Sequence, residues 1–435
     1  MKVLLINTPI WKETGFQSNY NPGMGLLYIG AVLREQGHEV RIIDAEAMKW
    51  WTEEILSEIG IWNPSHVGVS CLSNGFGIAI SLVRKMKLKY PNIWVCLGGV
   101  GPSCEPERAL NESGADSVTV GEAELILDKS FGEKGIHYGI SPEDLDALPM
   151  PAYDLMEPTI GGPKWMGNLP RPEINGPVRE TVVMWSRGCP HACTFCSKAT
   201  IPRRYPRLRS PENIVKELKM LQDNFGINSV FVYDDELIGM GDKHNKWLYS
   251  VVHLILEEID KMYFKGQGRC SAKFIHDDGQ GLLFHMKQAG FFAMMMGCES
   301  GSDEVKRAIR KGTTNEDIKH SLKLLHDNGI KTYAFWMIGM PTETRIEAKK
   351  TENLIAETTP YIDWIQITVF SPLPGSDFWQ TAIDNGYLKD YKAAINFQTT
   401  AMLDMPWMSR DEILKWKMKL YMTYEHTKRE ILCQK

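Results

Sequence analysis

Short apolar runs alternate with amphipathic stretches over residues 1–125 of the chain. This pattern is typical of a doubly wound sheet of parallel strands with helices on both faces, a Rossmann- or flavodoxin-like α/β fold. Residues 25–36 place Leu26, Ile29 and Leu33 on one helical face, and Gly37 supplies the left-handed residue that ends a helix. The predicted strands are residues 3–6, 40–43, 66–70, 94–97 and 117–120.

Residues 126–180 break this pattern and are rich in proline and glycine, which predicts an extended linker. From residue 181 to about 390 a strand–loop–helix unit recurs six times, which predicts a curved β/α barrel of parallel strands. Residues 391–435 are expected to form a helical extension. Its helix is expected to start at the capping box Ser409-Arg-Asp-Glu412. The barrel strands are expected at residues 181–185, 229–233, 269–274, 292–297, 332–338 and 364–370.

The length and composition of the chain indicate a globular protein of more than one domain. A chain of 435 residues is too long for one ordinary core, which indicates at least two domains. It is 43% hydrophobic and lacks an apolar run of about 18 residues, so no membrane span is expected. The net charge of −5 does not favour nucleic-acid binding. Nine cysteines without the spacing of a disulfide framework fit a reducing, cytoplasmic compartment.

Three of the cysteines lie close together directly after the first predicted barrel strand. Cys189, Cys193 and Cys196 belong to the segment Arg187-Gly-Cys-Pro-His-Ala-Cys-Thr-Phe-Cys-Ser197. Since four protein ligands are usual for a [4Fe–4S] cluster, three thiolates on a short loop would hold three irons and leave the fourth iron open. The spacing therefore predicts a cluster whose last iron binds something other than protein.

Two other interpretations of this loop are a zinc site and a group of thiols that bind nothing. His191 lies inside it, so a structural zinc site with three cysteines and one histidine is formally possible. Zinc ribbons usually have two separated ligand pairs, however, and the chain has no second Cys-x-x-Cys. Buried thiols that bind nothing are also common. Three at this spacing, with Phe195 before the last one, are not typical of inert thiols, and an iron–sulfur cluster is the favoured interpretation.

The loop closely resembles the cysteine motif of the radical S-adenosylmethionine (radical SAM) enzymes. In that family the amino acid end of SAM binds the open iron, and an electron from the cluster cleaves SAM to a 5′-deoxyadenosyl radical. Six β/α units are similar to the partial (β/α)6 barrel of the family. The resemblance implies a [4Fe–4S] cluster, SAM, and a reductant such as a flavodoxin or ferredoxin.

Further family-like residues stand at the carboxyl ends of the predicted barrel strands, where such barrels place their chemistry. The resemblance implies that Phe195 packs near the adenine of SAM, while anchoring the loop is an equally simple role. Asp234-Asp-Glu-Leu237 stands where the family often has Gly-Gly-Glu. Asp235 and Glu236 therefore compete for the amino group of SAM, and either could instead cap the next helix.

Two other segments, Gly297-Cys-Glu-Ser-Gly301 and Met337-Ile-Gly-Met-Pro-Thr-Glu343, are similar to family segments that contact SAM. The resemblance implies that Glu299 accepts hydrogen bonds from the ribose and that Ser300 satisfies a carboxylate oxygen. Gly339 would let the backbone approach adenine, and Ile338 would cover the ring.

Basic residues near these segments have simpler interpretations. Arg269 and Lys273 are candidate substrate contacts on the third predicted strand, but ordinary surface charge is the favoured interpretation of both. Arg310-Lys-Gly312 is also family-like, and its bases are expected to complement the C-terminus of the preceding helix.

The ends of the N-terminal strands resemble a cobalamin-binding domain, since ligands of such sheets bind beyond the carboxyl ends of the strands. Ser70-Cys-Leu-Ser-Asn74 and Gly98-Gly99 are similar to the Ser-x-Leu and Gly-Gly motifs of that family. The resemblance implies that Ser70, Leu72, Ser73, Gly98 and Gly99 bind cobalamin along its nucleotide tail. Three further segments are similar to segments of the cobalamin-type branch of radical SAM proteins: Pro22-Gly-Met-Gly-Leu-Leu27, Gly37-His-Glu-Val40 and Gly121-Glu-Ala-Glu124.

One motif of the cobalamin family is missing. Its cobalt-ligating histidine belongs to Asp-x-His-x-x-Gly after the first strand, where this chain reads Asn7-Thr-Pro-Ile-Trp-Lys-Glu-Thr-Gly15. The resemblance therefore implies cobalamin without a histidine from this loop on its lower face. The alternative is a flavodoxin-like domain that has lost its cofactor and serves as a scaffold.

Three functional hypotheses follow. The leading one, implied by the resemblance, is a cobalamin-dependent radical SAM C-methyltransferase that uses methylcobalamin and a 5′-deoxyadenosyl radical. The second keeps both cofactors but performs a cyclisation, ring contraction or oxidation. The third is an iron–sulfur or cobalamin sensor without catalysis, against which the SAM-like strand ends argue. No residue set identifies the substrate, a small molecule or a peptide.

Overall fold

The N-terminal half contains a sheet of six parallel strands. The structure is a computed structural model, and it describes residues 1–9, 23–156, 160–161, 169–197, 205–271, 281–388 and 401–434. The strand order β2-β1-β3-β4-β5-β6 confirms the doubly wound α/β prediction. The strands are β1 (Lys2–Asn7), β2 (Glu39–Asp44), β3 (His66–Ser70), β4 (Trp94–Gly98), β5 (Ser117–Val120) and β6 (Gly135–Tyr138). The helices are Met24–Glu35, Ala45–Met48, Thr52–Trp62, Phe76–Lys89, Val100–Cys104, Pro106–Ser113 and Leu127–Ser130.

The predicted strands and the first predicted helix of this half are confirmed. Their apolar residues are buried, as the sequence pattern predicts. The apolar run from Val3 to Ile6 is buried, as expected for a strand covered by helices on both faces. Helix Met24–Glu35 buries Leu26 and Leu33. It ends before Gly37, whose φ of +81° is left-handed.

The predicted linker is in part a packed structure, which corrects the boundary at residue 125. Helix Leu127–Ser130 and strand β6 fall within it, and β6 pairs with β5. The residues of β6 are partly buried or exposed, so this edge strand lacks the apolar run that marks the others. Further on, Tyr153 is 1% exposed and donates a hydrogen bond to the Val182 carbonyl oxygen. The described part of the linker therefore joins the two halves closely.

The second half is a sheet of six parallel strands in the order β14-β13-β12-β11-β10-β7, which confirms the predicted partial barrel. Its elements include a short antiparallel pair, β8 and β9, around the cysteine segment. The strands are β7 (Glu180–Val183), β8 (Ser186–Arg187), β9 (Arg207–Leu208), β10 (Ser229–Val232), β11 (Tyr263–Arg269), β12 (Phe291–Glu299), β13 (Lys331–Ile338) and β14 (Trp364–Val369). The helices are Pro211–Phe225, Asp242–Glu258, Leu282–Gln288, Asp303–Ala308, Asn315–Asp327, Arg345–Thr358 and Asp377–Asp384.

The third barrel strand lies earlier than predicted. It was expected at residues 269–274, but β11 ends at Arg269, and Lys273 lies outside the described residues. Its sequence lacks an apolar run because neighbouring side chains demand glycine. A Cβ at Gly266 would lie 2.5 Å from Leu237, and one at Gly268 would lie 2.4 Å from Ile238.

The C-terminal extension contains the predicted helix, Arg410–Gln434, while residues 391–400 lie outside the described residues. The glutamate half of the predicted capping box is present, since the Ser409 hydroxyl and amide both donate to the Glu412 carboxylate, at 3.0 and 3.1 Å. The Tyr421 hydroxyl accepts a hydrogen bond from the Ile367 amide, so the helix covers the edge strand β14. Among the described residues, none of the helices is long and apolar enough to cross a membrane.

Buried carboxyl groups are expected to make the fold less stable as pH rises. Burial raises the pKa of Asp44, of Asp234 and of Glu343 to about 7 each. An unfolded chain titrates such groups near pH 4. The native state therefore binds more protons in between, so this stabilisation is complete below about pH 4 and is lost as pH rises through about 7.

We expect the melting temperature to fall by several degrees between pH 5 and pH 8, as measured by calorimetry. The double variant Asp44→Asn with Glu343→Gln should show a smaller fall, because its amides do not titrate. An unchanged pH dependence in that variant would contradict this explanation.

Candidate active site

The cysteine loop is tied to the barrel by hydrogen bonds from within the motif. The Thr194 amide donates to the Ile309 carbonyl oxygen at 3.0 Å, and the Ser197 hydroxyl donates to the Pro374 carbonyl oxygen at 3.2 Å. These partners follow β12 and β14, respectively. The loop therefore lies at the carboxyl ends of the barrel strands, as predicted.

Two charged side chains lie beside the cysteines. Arg269, at the end of β11, is buried, and its Nη2 lies 3.2 Å from the Cys193 Sγ. Glu236 places Oε2 3.6 Å from the Cys189 Sγ and Oε1 3.6 Å from the Arg269 Nε. Burial, together with the Glu236 carboxylate, raises the pKa of the Cys189 thiol to about 12. A thiolate at this position therefore needs additional positive charge, which a bound iron would supply.

His191 faces an acid rather than completing a three-cysteine zinc site. Its Nε2 lies 3.1 Å from the Glu236 Oε2. Cys189, His191 and Glu236 each bring one ligand atom within 4.8 Å of the others, a set that could hold a metal ion but differs from Cys3His. Cys193 faces Arg269 instead.

The three acids after β10 face three different places. Asp234 is buried and accepts a hydrogen bond from the Trp185 amide at 2.7 Å. Asp235 accepts one from the Gly188 amide at 3.0 Å. Glu236 faces the cysteines. The sequence does not distinguish Asp235 from Glu236, but in the structure Glu236 contacts Cys189 and Asp235 binds the Gly188 amide.

Glu299 is held by a buried cation. Its Oε1 accepts a hydrogen bond from the Lys311 Nζ at 2.8 Å. The backbone of Glu299 is left-handed, with φ of +62°, at an irregularity in β12. A Cβ at Gly297 would lie 2.7 Å from the same carboxylate, so glycine is needed there. Although burial opposes it, the Glu299 carboxylate holds the pKa of Lys311 above its usual value. The expectation that Lys311 serves a helix C-terminus is wrong.

The other predicted SAM contacts are enclosed. Ser300 is fully buried, and its hydroxyl lies 3.2 Å from the Thr351 Oγ1. Ile338 is also fully buried at the end of β13. Gly339 has a φ of +85°, and a Cβ there would lie 2.9 Å from Ile413 of the C-terminal helix. Contact of these three residues with SAM stays a prediction.

A cavity of about 600 Å³ joins the N-terminal sheet to the cysteine loop. Ser70, Gly98 and Gly99 line it on one side, and Phe195 and Cys196 line it on the other. Residues that the sequence assigned to cobalamin and to the cluster therefore share one space. The apolar part of its wall includes Leu5, Leu26, Ile29, Leu127 and Phe131.

Two of the predicted cobalamin residues lie apart from this space. Leu72 is 54% exposed, and Ser73 begins the short turn Ser73–Gly75. Neither is among the residues that line the cavity. The structure brings Ser70, Gly98 and Gly99 together and leaves Leu72 and Ser73 outside.

Alanine at Gly99 is expected to weaken cobalamin binding at least about tenfold, whereas alanine at Gly98 should be tolerated. A Cβ at Gly99 would lie 2.6 Å from the Cys71 carbonyl oxygen, and its φ of +93° is left-handed. Such backbone strain costs about 1–3 kcal/mol. A Cβ at Gly98 would have its nearest neighbour at 3.8 Å. Titration with hydroxocobalamin measures both variants, and equal affinities would refute the prediction.

Sequence reasoning missed the partners of three cations at this site. Arg187 donates to Glu122 at 2.9 Å and to Glu124 at 2.7 Å, which links the cysteine segment to the Gly121-Glu-Ala-Glu124 motif. Arg269 and Lys311 are buried, although the sequence favours surface charge for Arg269 and a helix C-terminus for Lys311. Arg187 and Lys311 lie in recognised motifs, and that position is the signal that could have found their partners, because a buried base needs an acidic partner.

The observed residues fit the cofactors that the resemblance implies. Three thiols lie on one anchored loop beside a buried guanidinium, and a glycine that tolerates no Cβ lies in the wall of the adjoining cavity. Comparison with known families agrees with this. The radical SAM superfamily model matches residues 183–355, and the B12 binding domain model matches residues 18–129.

Two relatives are similar to this chain over nearly its whole length. The chain is 26% identical to an uncharacterized methyltransferase of Pyrococcus horikoshii, over 98% of this chain and 92% of that one. It is 25% identical to the anaerobic magnesium-protoporphyrin IX monomethyl ester cyclase of Rubrivivax gelatinosus, over 97% of this chain and 77% of that one.

Among solved structures, the cobalamin-dependent S-adenosylmethionine radical enzyme OxsB, with aqua-cobalamin and S-adenosylmethionine bound, has the same fold. The TM-score is 0.67 at 18% identity, over 88% of this chain and 55% of that one, so the chain spans little more than half of OxsB. With both family domains and this fold, the chain is a cobalamin-dependent radical SAM enzyme whose cofactors are a [4Fe–4S] cluster, SAM and cobalamin.

Proposed function

We propose that the enzyme is a C-methyltransferase that acts on an unactivated carbon. The observation that carries the proposal is the cavity of about 600 Å³ shared by the cobalamin motifs and the cysteine loop. A methyl carrier in this cavity would lie next to the site of SAM cleavage, so that a substrate could meet both. The methyltransferase name of the Pyrococcus horikoshii relative supports the same reaction.

We assign the cluster to Cys189, Cys193 and Cys196, and the amino group of SAM to Glu236. Glu236 is favoured over Asp235 because it lies beside Cys189, while Asp235 binds the loop backbone at Gly188. When bound, the cluster supplies an electron for SAM cleavage and cobalamin carries a methyl group. The work of the chain is to position these groups and to exclude water.

The ribose of SAM is assigned to Glu299, which its buried partner Lys311 holds in place. The second carboxylate oxygen of Glu299 can accept ribose hydroxyl hydrogen bonds while the first is held by Lys311. Backbone at Gly339 is assigned to adenine, as the resemblance implies. Phe195 lines the shared cavity, so its aromatic ring would contact the corrin as readily as adenine.

Cobalamin is assigned to Ser70, Gly98 and Gly99, which line the cavity at the carboxyl ends of β3 and β4. The apolar wall suits the aromatic base of a nucleotide tail. The residues after Asn7 that replace the missing histidine motif lie largely outside the described residues, from position 10 to 22. A lower face without a histidine ligand from this loop stays a prediction.

The products of SAM test the proposed reaction. Anaerobically reconstituted enzyme is incubated with SAM, cobalamin and titanium(III) citrate. We expect both S-adenosylhomocysteine, which is left after methyl transfer, and 5′-deoxyadenosine, which is left after radical cleavage. Formation of 5′-deoxyadenosine without S-adenosylhomocysteine would overturn the methyltransferase proposal. A variant with Cys433→Ala, an exposed cysteine far along the C-terminal helix, serves as the control with wild-type behaviour.

A second candidate is radical chemistry without methyl transfer. The relative named as a cyclase, similar over 97% of this chain, favours it. The product test above separates the two reactions. The third hypothesis, a sensor without catalysis, disagrees with membership in the radical SAM enzymes.

We further propose a flavodoxin or ferredoxin as the electron donor and a reducing, cytoplasmic compartment. All nine cysteines lie within the described residues, and no disulfide joins any of them there. Reduced cysteines and an oxygen-sensitive cluster both fit such a compartment.

A further inference from the structure

Four charged side chains form a network across the boundary between the two halves. Glu122 and Glu124 follow β5, whereas Arg187 lies in β8 and Arg207 in β9. Arg187 Nη1 lies 2.7 Å from Glu124 Oε1 and 2.9 Å from Glu122 Oε2. Arg207 Nη2 lies 2.5 Å from Glu122 Oε1. Every acid of the network therefore belongs to the cobalamin half, and every base to the cluster half.

The two bases lie on neighbouring strands, one before and one after the three cysteines in the chain. β8 and β9 are antiparallel, and Arg187 pairs directly with Arg207 in their register. Like charges at directly opposed positions repel each other. Glu122 contacts both guanidinium groups and so neutralises this repulsion. The pairing of β8 with β9 is thus supported by a carboxylate from the other half.

These charges are shielded from water. The four side chains are between 5% and 16% exposed. Although burial opposes it, Arg207 and Arg187 hold the pKa of Glu122 below its usual value, so this carboxylate stays ionised at neutral pH. Arg187 also lies over the Tyr28 ring, 4.5 Å from its centroid, which adds a cation–π contact with the N-terminal half.

All four members of the network line the shared cavity, together with Phe195 and Cys196 of the loop. A ligand that fills the cavity would displace water from around the charges and strengthen their attraction, because a lower dielectric screens them less. It would also pack against Cys196 and Phe195 directly. Occupation of the cavity would therefore stabilise the contacts of the network and the pairing of β8 with β9.

We propose that the network of Glu122, Glu124, Arg187 and Arg207 couples the two cofactor sites, so that cobalamin and the cluster each raise the affinity of the chain for the other. The inference rests on the proposed function only in that both cofactors bind to one chain. Thermodynamic linkage requires the same factor in both directions, and couplings of about 5–150-fold are typical. We expect about tenfold here.

The affinity for hydroxocobalamin is measured anaerobically on the wild-type protein, with the cluster reconstituted and with iron removed by a chelator. The dissociation constant should be about tenfold lower with the cluster. Equal constants would overturn the coupling and leave the proposed function intact. Failure of both forms to bind hydroxocobalamin would overturn the cobalamin assignments and the coupling together.

The variant Glu122→Gln should bind cobalamin with nearly the same affinity in both forms, because it no longer neutralises the opposed arginines. Arg34→Gln is the matched control. Arg34 also pairs with an acid outside its own half, Asp154 of the connecting segment, but the two side chains are 44% and 54% exposed, so the coupling should persist. A tenfold factor retained in Glu122→Gln would overturn the role of the network.

The reciprocal effect can be measured without any variant, should Glu122→Gln fail to fold. The rate at which a chelator removes the cluster from wild-type protein is followed by absorbance, with and without saturating hydroxocobalamin. Cobalamin should slow the loss several-fold. Identical rates would overturn the proposal.

Discussion

Replacing Cys193 by alanine is expected to abolish the cluster and the reductive cleavage of SAM. Three thiolates hold the cluster at the proposed site, and two are too few for it. Iron should fall from about four atoms per chain to nearly none. Formation of 5′-deoxyadenosine should fall by more than the roughly 10–100-fold that the loss of an outer-shell partner costs. Iron analysis and electron paramagnetic resonance of reconstituted protein measure the change.

Cys104 offers the matched control for this experiment. It is a partly buried thiol whose side chain interacts with Ser197 of the same loop. The variant Cys104→Ala should keep the iron content of the wild type. Four irons in Cys193→Ala would contradict the assignment. Zinc without iron in the wild-type protein would point instead to the alternative set formed with His191 and Glu236.

Glutamine at position 236 is expected to weaken SAM binding by about 10–100-fold, since a hydrogen bond to a charged group contributes about 1.5–3 kcal/mol. The substitution keeps the size of the side chain and removes its charge. Because Glu236 also lies near Cys189 and Arg269, the iron content must be shown to be intact first. The dissociation constant of SAM and the KM for 5′-deoxyadenosine formation measure the effect.

Asp235→Asn is the companion variant. Its amide oxygen can still accept the hydrogen bond of the Gly188 amide, so the loop should keep its position. We expect SAM affinity close to that of the wild type. Weak SAM binding in Asp235→Asn, with normal binding in Glu236→Gln, would reverse the assignment of the amino group.

Local pattern was sufficient for most strands and for the cysteine loop. The run from Val3 to Ile6 is buried on both sides, so hydrophobicity alone marks it as a strand. The helix before Gly37 ends where its chain-local signals place it. Cys189, Cys193 and Cys196 are near neighbours in the chain, so their common loop needs no knowledge of the fold.

Strand β11 was misplaced because its residues are determined by contacts with residues that are distant in the chain. Strand β11 carries Gly266 and Gly268 because Leu237 and Ile238 pack against its backbone. It also carries Lys265, fully buried, which donates to Glu180 at 2.8 Å. A pattern of glycine and lysine does not indicate a central strand until those neighbours are known.

The sequence by itself determined the two-domain α/β organisation and the three-thiol motif, because both are written in residues adjacent along the chain. Only the tertiary structure decided which charges surround the thiols and that both cofactor motifs share a cavity. Arg269 is 76 residues from Cys193, and Arg187 is 63 residues from Glu124. Ion pairs form only over a few ångströms, and the order of the strands sets which distant side chains come that close.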